Sequence, residues 1–300
     1  MSSPNHNLRG IGLMIAATFV FTTNDTFLKL ATEGMPPFQA LFLRGVFASL
    51  WGIPLVLVTG NAGRLSGMFN PRVLARNAFE LGAVLCFILA LANLPIADIT
   101  ALVQVAPMLM LVGVAFIYRE KVRPIQWLLI IVGFAGALLV AQPGSTGFSV
   151  FTLLGLGCAV LTAGRDIVGR RVSKDIPGPV VAFCTLLLVM VGAGIAHVSL
   201  ETWTQPALQH WFYLAGSGLF LMFGHLFVFL AYRTGDVGAT APFFYTFTLW
   251  SLASGIIVFG TWPNPLALTG MLLILCAGVA IVTIDTRRRT RDNTQEVPVA

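Results

Sequence analysis

The chain has 300 residues, of which 57% are hydrophobic and only 10% are charged, and its formal net charge is +6. Soluble domains carry about 25% charged residues, so this composition excludes an ordinary soluble fold and predicts a surface that faces lipid. Nucleic acid is not an expected partner in spite of the positive charge, because the basic residues lie in gaps between apolar runs rather than on one soluble face.

Ten apolar runs follow one another along the chain, and a spanning helix needs about 20 such residues. They lie near 9–31, 36–59, 72–92, 97–118, 124–141, 149–170, 178–199, 207–231, 237–259 and 265–284. The connections are short and contain Pro, Gly and Asn, so they leave no room for a soluble catalytic domain. The predicted fold is therefore an all-α integral membrane protein of about ten transmembrane helices. Residues 9–141 and 149–284 form its two five-helix units, and residues 285–300 form a disordered tail.

The basic residues indicate how the spans are oriented. Sixteen of the eighteen Lys and Arg residues lie on or near one side if the N-terminus is placed in the cytoplasm. Lys29 is left near the other side, and Arg44 lies within a span. Because cytoplasmic loops carry the excess of Lys and Arg, this asymmetry predicts an even number of spans with both termini in the cytoplasm.

The two halves of the chain repeat each other at a shift of 141 residues. The identities under this shift include Asp25 with Asp166, Pro36 with Pro177 and Pro124 with Pro265. Each half has five predicted spans, an odd number, so the halves must lie in opposite orientations. Inverted repeats of this kind are common in secondary transporters, where the substrate site lies between the repeats.

Several short stretches carry a resemblance to a known family. They are residues 24–29 (NDTFLK), 42–45 (FLRG), 117–121 (IYREK), 240–245 (TAPFFY) and 258–260 (VFG). With the two five-helix halves, they resemble the drug/metabolite transporter superfamily in its EamA group. The 24–29 stretch and Arg44 look most like the branch that takes up S-adenosylmethionine and riboflavin, whereas other members export amino acids or metallophores. The ninth span ends in Gly260-Thr261, where the family usually has Gly-Glu.

Ionisable side chains inside a bilayer are expensive and are therefore candidates for function. Asp25 and Arg44 lie at similar depths in the first two spans, which allows an ion pair that either locks these spans or opens to bind a zwitterionic or anionic solute. Glu80 is the most isolated acid. It is predicted to be either a proton-coupling carboxylate or a second partner of Arg44.

The second half has its own charged pair, Arg165 and Asp166, at the positions that correspond to Asn24 and Asp25. The residue that corresponds to Arg44 is Thr185, so the second half lacks that arginine. Arg165 is predicted either to supply the missing positive charge or to form a structural pair with Asp166 near the membrane interface.

Uncharged polar and aromatic residues complete the predicted site. His225 is either a helix–helix hydrogen-bonding residue or a proton relay. Gln104 and Tyr245 are related by the repeat, and Tyr245 and Trp250 have side chains that stack on planar rings. The candidate substrate-binding residues are therefore Asn24, Asp25, Arg44, Glu80, Gln104, Arg165, His225, Tyr245 and Trp250.

The sequence predicts a secondary transporter in the inner membrane that moves a small polar organic metabolite by alternating access. The leading hypothesis is uptake of a vitamin or nucleoside-like compound such as riboflavin or S-adenosylmethionine. The alternative is export of amino acids or related metabolites. A lipid-modifying membrane enzyme and a passive channel are less favoured, because neither convergent catalytic groups nor a continuous polar stripe is visible. The expected partners are the substrate, the lipid bilayer and protons as a candidate coupling ion. No cofactor or metal is expected, and the oligomeric state is a monomer or a homodimer.

Overall fold

The structure, a computed structural model, describes residues 4–58, 60, 62–119, 122–142, 149–173, 175–235 and 240–295, and it is dominated by helices. The described residues form eleven α-helices: α1 Pro4–Thr32, α2 Pro37–Val58, α3 Pro71–Asn93, α4 Ile96–Val103, α5 Ala106–Ile117, α6 Pro124–Ala141, α7 Val150–Gly169, α8 Gly178–Leu200, α9 Leu208–Thr234, α10 Thr246–Phe259 and α11 Pro265–Gln295. Two 3₁₀ helices cover Ala62–Phe69 and Ala241–Tyr245.

The helices are long and apolar enough for a membrane protein. Nine segments among the described residues meet the length and composition of a membrane span. In addition, α2 has 22 residues and packs against α8 and α9, within the same bundle. The structure thus confirms the all-helical membrane fold of about ten spans.

Two of the predicted continuous spans are interrupted. The fourth span, predicted at 97–118, consists of α4 and α5, which are separated by a turn at Gln104 and Val105. In the ninth span, predicted at 237–259, the 3₁₀ helix Ala241–Tyr245 precedes α10. Residues 236–239 lie outside the described residues. Pro107 and Pro242 explain why the α-helix is interrupted at these two places, because proline lacks an N–H and crowds the preceding helical turn.

The C-terminal helix is longer than predicted. α11 continues through Gln295, so residues 285–295 of the predicted disordered tail are helical, and residues 296–300 lie outside the described residues. The extension contains Arg287, Arg288, Arg289 and Arg291. Arginine has a high helix propensity, which allows the helix to continue beyond its apolar part.

The helix packing follows the repeat. The pairs in extensive contact are α1 with α9, α3 with α7, α2 with α8, and α6 with α11. Under the 141-residue shift, α1 corresponds to α7 and α3 to α9, so the α1–α9 pair corresponds to the α3–α7 pair. The other two pairs map onto themselves. This is the packing expected of two inverted repeats about an approximate two-fold axis, and it places the facing surfaces of α1–α3 and α7–α9 between the halves.

The α6–α11 pair crosses at two glycines. A Cβ atom at Gly136 would lie 2.7 Å from the carbonyl oxygen of Gly270, and a Cβ atom at Gly270 would lie 2.5 Å from that of Gly136. Small residues at such crossings allow helix backbones to approach closely in membranes. The last helix of each half is therefore held to its mate by backbone contact.

Replacing Gly136 by Val is expected to lower the free energy of unfolding by about 1–3 kcal/mol, because the added side chain must push the two backbones apart. Thermal unfolding of the purified protein in detergent measures the effect. Gly157→Val is the matched control, since a Cβ atom there would have nothing within 4 Å. Equal melting temperatures for the two variants would contradict the close crossing.

Candidate functional site

Two cavities meet between the halves. The larger has a volume of about 390 Å³ and lies among α3, α7, α8 and α9. The smaller, about 230 Å³, lies among α1, α2, α3, α8 and α9, with two phenylalanines from the 244–247 segment in its wall. Both cavities are lined by Glu80, Thr185, Leu186 and His225, so they lie on either side of a shared wall. We refer to the two cavities together as the central cleft.

Six of the nine predicted site residues line the central cleft. These are Asn24, Asp25, Arg44, Glu80, Arg165 and His225. The other three, Gln104, Tyr245 and Trp250, are not among the residues that line it. Their placement follows from packing: Tyr245 is 3% exposed and its ring lies against Gly278 of α11, and the Trp250 ring packs edge-on against Phe19 at 5.3 Å. Gln104 is also buried, at the turn between α4 and α5.

Asp25 is held by neutral groups. The Asn24 side-chain amide donates to the Asp25 carboxylate at 2.8 Å. The Ser217 hydroxyl of α9 in turn donates to the Asn24 side-chain oxygen at 2.8 Å, which fixes the amide's orientation. The Asn-Asp pair of the first span is thus positioned by a residue of the other half.

Arg44 has no direct partner. The predicted ion pair with Asp25 is not formed, and within the described part of the chain the Arg44 guanidinium has no hydrogen-bond or ion-pair partner. The residue is only 7% exposed, and its Nε atom is fully buried. It lies in electrostatic range of Asp25 and Glu80 without contacting either carboxylate. The Arg44 residue lines the smaller cavity together with Asp25 and Glu80.

Glu80 is not the isolated acid that the sequence predicts. Its carboxylate accepts a hydrogen bond from Nη1 of Arg165 at 2.7 Å, and Nε of Arg165 donates to Asp166 at 2.8 Å. Arg165 therefore bridges two acids, one from α3 and one from α7. The predicted pairing of Arg165 with Asp166 is confirmed. Direct pairing of Glu80 with Arg44 is not found among the described residues, although the two charges lie in electrostatic range of each other.

Arg76 also lines the larger cavity, although it is not among the predicted site residues. Its Nη1 donates to Thr185 Oγ1 at 3.1 Å and to the side-chain oxygen of Asn77 at 2.8 Å. Thr185 corresponds to Arg44 in the repeat, so Arg76, rather than Arg165, brings a positive charge to this position. The spacing of Arg76 and Glu80 would have revealed it, because residues four apart lie on one face of a helix.

Phenylalanines form the apolar wall of the smaller cavity. Its lining includes Phe21, Phe87, Phe244 and Phe247, and the His225 ring packs edge-on against Phe21 at 5.2 Å. The sequence predicted aromatic stacking from Tyr245 and Trp250, but the rings in the cleft wall are phenylalanines. The chain has 23 Phe, so composition alone could not single out these four.

The two halves also match a family model. The model of the EamA-like transporter family matches residues 8–142 and 150–284, which are the two repeats. The chain belongs to the EamA-like transporter family. The drug/metabolite transporter resemblance drawn from the short motifs is thereby confirmed, and the family is one of transporters.

Curated relatives of this transporter carry different names. It is 26% identical over 275 residues to the pseudopaline exporter CntI of Pseudomonas aeruginosa, covering 91% of this chain and 95% of the relative. It is 26% identical over 279 residues to a riboflavin transporter of Brucella anthropi, covering 91% and 98%. It is 25% identical over 280 residues to an S-adenosylmethionine uptake transporter of Rickettsia prowazekii, covering 92% of each chain. A solved crystal structure with 21% identity aligns at a TM-score of 0.64 over 93% of this chain and 98% of the other, which supports the fold.

Polar contacts join the start of α2 to the end of α8 at one end of the transporter. The Glu201 carboxylate accepts hydrogen bonds from the backbone N–H groups of Phe38 and Gln39 at 2.9 and 3.0 Å, and from His197 Nδ1 at 2.9 Å. The Gln39 side chain donates to the Thr204 carbonyl at 2.6 Å and accepts from the Thr204 N–H at 2.9 Å. We name Gln39, His197, Glu201 and Thr204 the α2–α8 latch.

The cleft opens at the opposite end of α8. The larger cavity is lined by Gly169, Val172 and Gly178, at the end of α7 and the start of α8, whereas the latch lies at the other end of α8. A carboxylate at a helix N-terminus is favourable, because unpaired N–H groups and the helix dipole both attract negative charge. The latch therefore joins α2 to α8 at the end of the transporter opposite to the larger cavity.

Replacing Glu201 by Gln together with Gln39 by Ala is expected to loosen the latched end. A cysteine introduced at Leu221, in the lining of the smaller cavity, would then react severalfold faster with a membrane-impermeant maleimide applied from that side. The native cysteines are first replaced by serine, and sealed vesicles of both orientations are compared. Glu33→Gln, which changes an exposed acid at the same end of the bundle, is the control. An unchanged rate in the double variant would show that the latch does not govern access.

Proposed function

We propose that this protein is a secondary transporter of the inner membrane that carries a small polar organic metabolite with a negatively charged group. Arg44 carries the proposal: it is a buried guanidinium that contacts no carboxylate among the described residues, and it lines a cavity between two inverted repeats. Leaving a buried charge unpaired destabilises a protein, so such a group is retained where a ligand supplies the missing partner. Asp25 and Asn24 beside it would orient an amino or hydroxyl group of the same solute.

The phenylalanine wall supports a solute that also carries a planar ring. Phe21, Phe87, Phe244 and Phe247 offer ring faces and edges within the same cavity that contains Arg44. Aromatic pairs contribute about 0.5–1.5 kcal/mol beyond the burial of their area. Uptake of a nucleoside-like compound that carries a carboxylate, as in the relative named for S-adenosylmethionine, is therefore the leading form of the proposal. A vitamin such as riboflavin, for which other relatives are named, suits the phenylalanine wall but has no anionic group for Arg44.

Export of a carboxylate-bearing metabolite is the second candidate. It is favoured by the same unpaired Arg44, which suits an amino acid or a related carboxylate, and by the relative named an exporter. The Lys and Arg asymmetry supports cytoplasmic termini. In that orientation the open end of the central cleft faces the cytoplasm, where an exported solute would enter and an imported solute would leave.

Glu80 is the candidate for coupling transport to protons. Its carboxylate lies in the wall of both cavities and is neutralised by Arg165, so protonation of Glu80 would release that arginine and change the charge of the cleft. Protons are therefore our proposed coupling ion. Glu80→Gln in proteoliposomes is expected to abolish flux driven by a pH gradient while solute exchange continues.

A metabolite screen tests the proposed function. Cells that express the chain are compared with cells that express Arg44→Gln, and their uptake and release of metabolites are measured by mass spectrometry. Solutes that differ are then tested for counterflow in proteoliposomes of the purified protein. An anionic, ring-bearing solute that moves only with intact Arg44 would support the proposal, and a transported solute without an anionic group would contradict it.

A further inference from the structure

The guanidinium of Arg76 lies in the wall of the larger cavity and contacts neutral oxygens. Its hydrogen-bond partners among the described residues are the Thr185 hydroxyl and the Asn77 side-chain oxygen, and no carboxylate is paired with it. Thr185 also donates to the same Asn77 oxygen at 2.8 Å. One edge of the Arg76 guanidinium is thus held by two uncharged groups, while Glu80 and Asp166 lie in electrostatic range without contacting it.

The charges around the central cleft are unevenly paired. Its lining contains three arginines and two acids, namely Arg44, Arg76, Arg165, Asp25 and Glu80. Arg165 bonds Glu80 and also a third acid, Asp166, so two acids share this one arginine. Among the described residues neither Arg44 nor Arg76 contacts a carboxylate. These two guanidinium groups are therefore the ones to which an anionic group could bind.

The repeat relates these two arginines. Arg44 is carried by α2, and the residue that corresponds to it in α8 is Thr185, the hydroxyl that Arg76 contacts. A positive group therefore stands at both symmetry-related positions, one from α2 and one from α3. The Arg44 position adjoins the smaller cavity, and the Arg76 position adjoins the larger one at the open end.

We propose that Arg76 is a second anion-binding residue, where the carboxylate or phosphate group of the solute binds at the open end of the cleft before or after it binds Arg44. The inference rests on the proposed transport function and deepens it, since it gives the solute's anionic group two successive partners along one path. Guanidinium groups suit this role, because they bind carboxylates and phosphates through paired hydrogen bonds.

Protection from chemical modification tests the proposal without a known solute. The purified protein is treated with phenylglyoxal, which reacts with arginine, in the presence of benzoate, and the modified positions are found by mass spectrometry. Benzoate combines a carboxylate with a ring, while benzamide is its neutral analogue and sodium chloride matches the ionic strength. Bound benzoate lowers the rate of modification by a factor of one plus the ratio of the benzoate concentration to its dissociation constant. At a benzoate concentration of twice that constant, Arg76 should therefore react about threefold more slowly.

Arg72 is the internal control, one turn away on the same helix. Its Nη1 donates to the carbonyl of Arg171 and it lies on the exposed surface, so its modification rate should not depend on benzoate. Equal protection of Arg72 and Arg76 would show only general screening and would overturn the proposal. Protection of Arg44 without protection of Arg76 would also overturn it while leaving the role of Arg44 intact.

A second measurement uses variants. Benzoate is expected to raise the melting temperature of the wild-type protein and of Arg72→Gln by the same amount, and that of Arg76→Gln by less. An equal rise in Arg76→Gln would contradict the proposal. If Arg76→Gln does not fold, the protection experiment on the wild-type protein still decides. A metabolite screen that finds no transported solute would count against the proposed function, whereas the benzoate result is read independently of it.

Discussion

Replacing Arg44 by Gln is expected to weaken solute binding about a hundredfold, because removing one partner of a buried charged pair costs about 2–5 kcal/mol and each 1.4 kcal/mol is tenfold. Arg44→Lys should recover part of the affinity, since lysine restores the charge but not the paired hydrogen bonds of a guanidinium. The measurement is competition binding on purified protein with the solute identified by the metabolite screen.

The stability of Arg44→Gln separates a functional role from a structural one. The Arg44 guanidinium has no direct partner within the described residues, so its removal should leave the melting temperature of the solute-free protein unchanged or raise it. Functional sites often contain strained or unpaired charged groups, and replacing such a group can raise stability while it lowers activity. Arg64→Gln, at an exposed basic residue of the 3₁₀ helix Ala62–Phe69, is the control for a lost charge. A large fall in melting temperature would instead assign Arg44 to the framework.

Replacing Arg165 by Gln is expected to have the largest effect on stability. The change leaves the carboxylates of Glu80 and Asp166 without their shared partner, and breaking a buried ion pair costs about 3–5 kcal/mol. Arg165 and Glu80 are 24% and 17% exposed, so solvent screening should reduce the loss to about 2–3 kcal/mol. Thermal unfolding in detergent is the measurement, with Arg72→Gln as the control.

A double-mutant cycle tests whether Glu80 is the partner through which Arg165 stabilises the protein. Glu80→Gln combined with Arg165→Gln should be more stable than Arg165→Gln alone, because one of the two uncompensated acids is removed. Residues in one ion-pair network show such coupling, whereas distant residues add independently. Additive losses in the double variant would show that the Glu80–Arg165 contact contributes nothing to stability.

Much of the fold was predictable from local features of the sequence. Apolar runs of the length of a bilayer, basic residues in alternate gaps and the 141-residue repeat each depend on short segments or on simple spacing. The interruptions at Gln104 and Tyr245 were not predicted, although Pro107 and Pro242 stand beside them. A proline in a membrane helix is tolerated where neighbouring groups satisfy the freed backbone, so its effect depends on packing.

The site was less predictable, because its chemistry depends on which helices meet. Asp25, Arg44 and Glu80 were found by the rule that ions inside a bilayer are rare. Their partners were not: Glu80 bonds Arg165 because α3 packs against α7, and Asp25 is satisfied by Asn24 because Ser217 of α9 orients that amide. Arg76 was missed for the same reason, since its contact with Thr185 joins two different halves.

The residues of the α2–α8 latch are not repeated in the sequence of the other half. Under the repeat, Gln39 corresponds to Val180 and Glu201 to Gly60, which cannot form the same side-chain hydrogen bonds. Each such bond contributes about 1 kcal/mol, so the latch alone favours one resting conformation by several kcal/mol. The conformation of the protein that binds a solute from the latched side is therefore rarely populated. The apparent affinity for a solute arriving from that side is reduced in proportion to this population. We therefore expect this carrier to show different half-saturation concentrations from its two sides even when the bound site is the same.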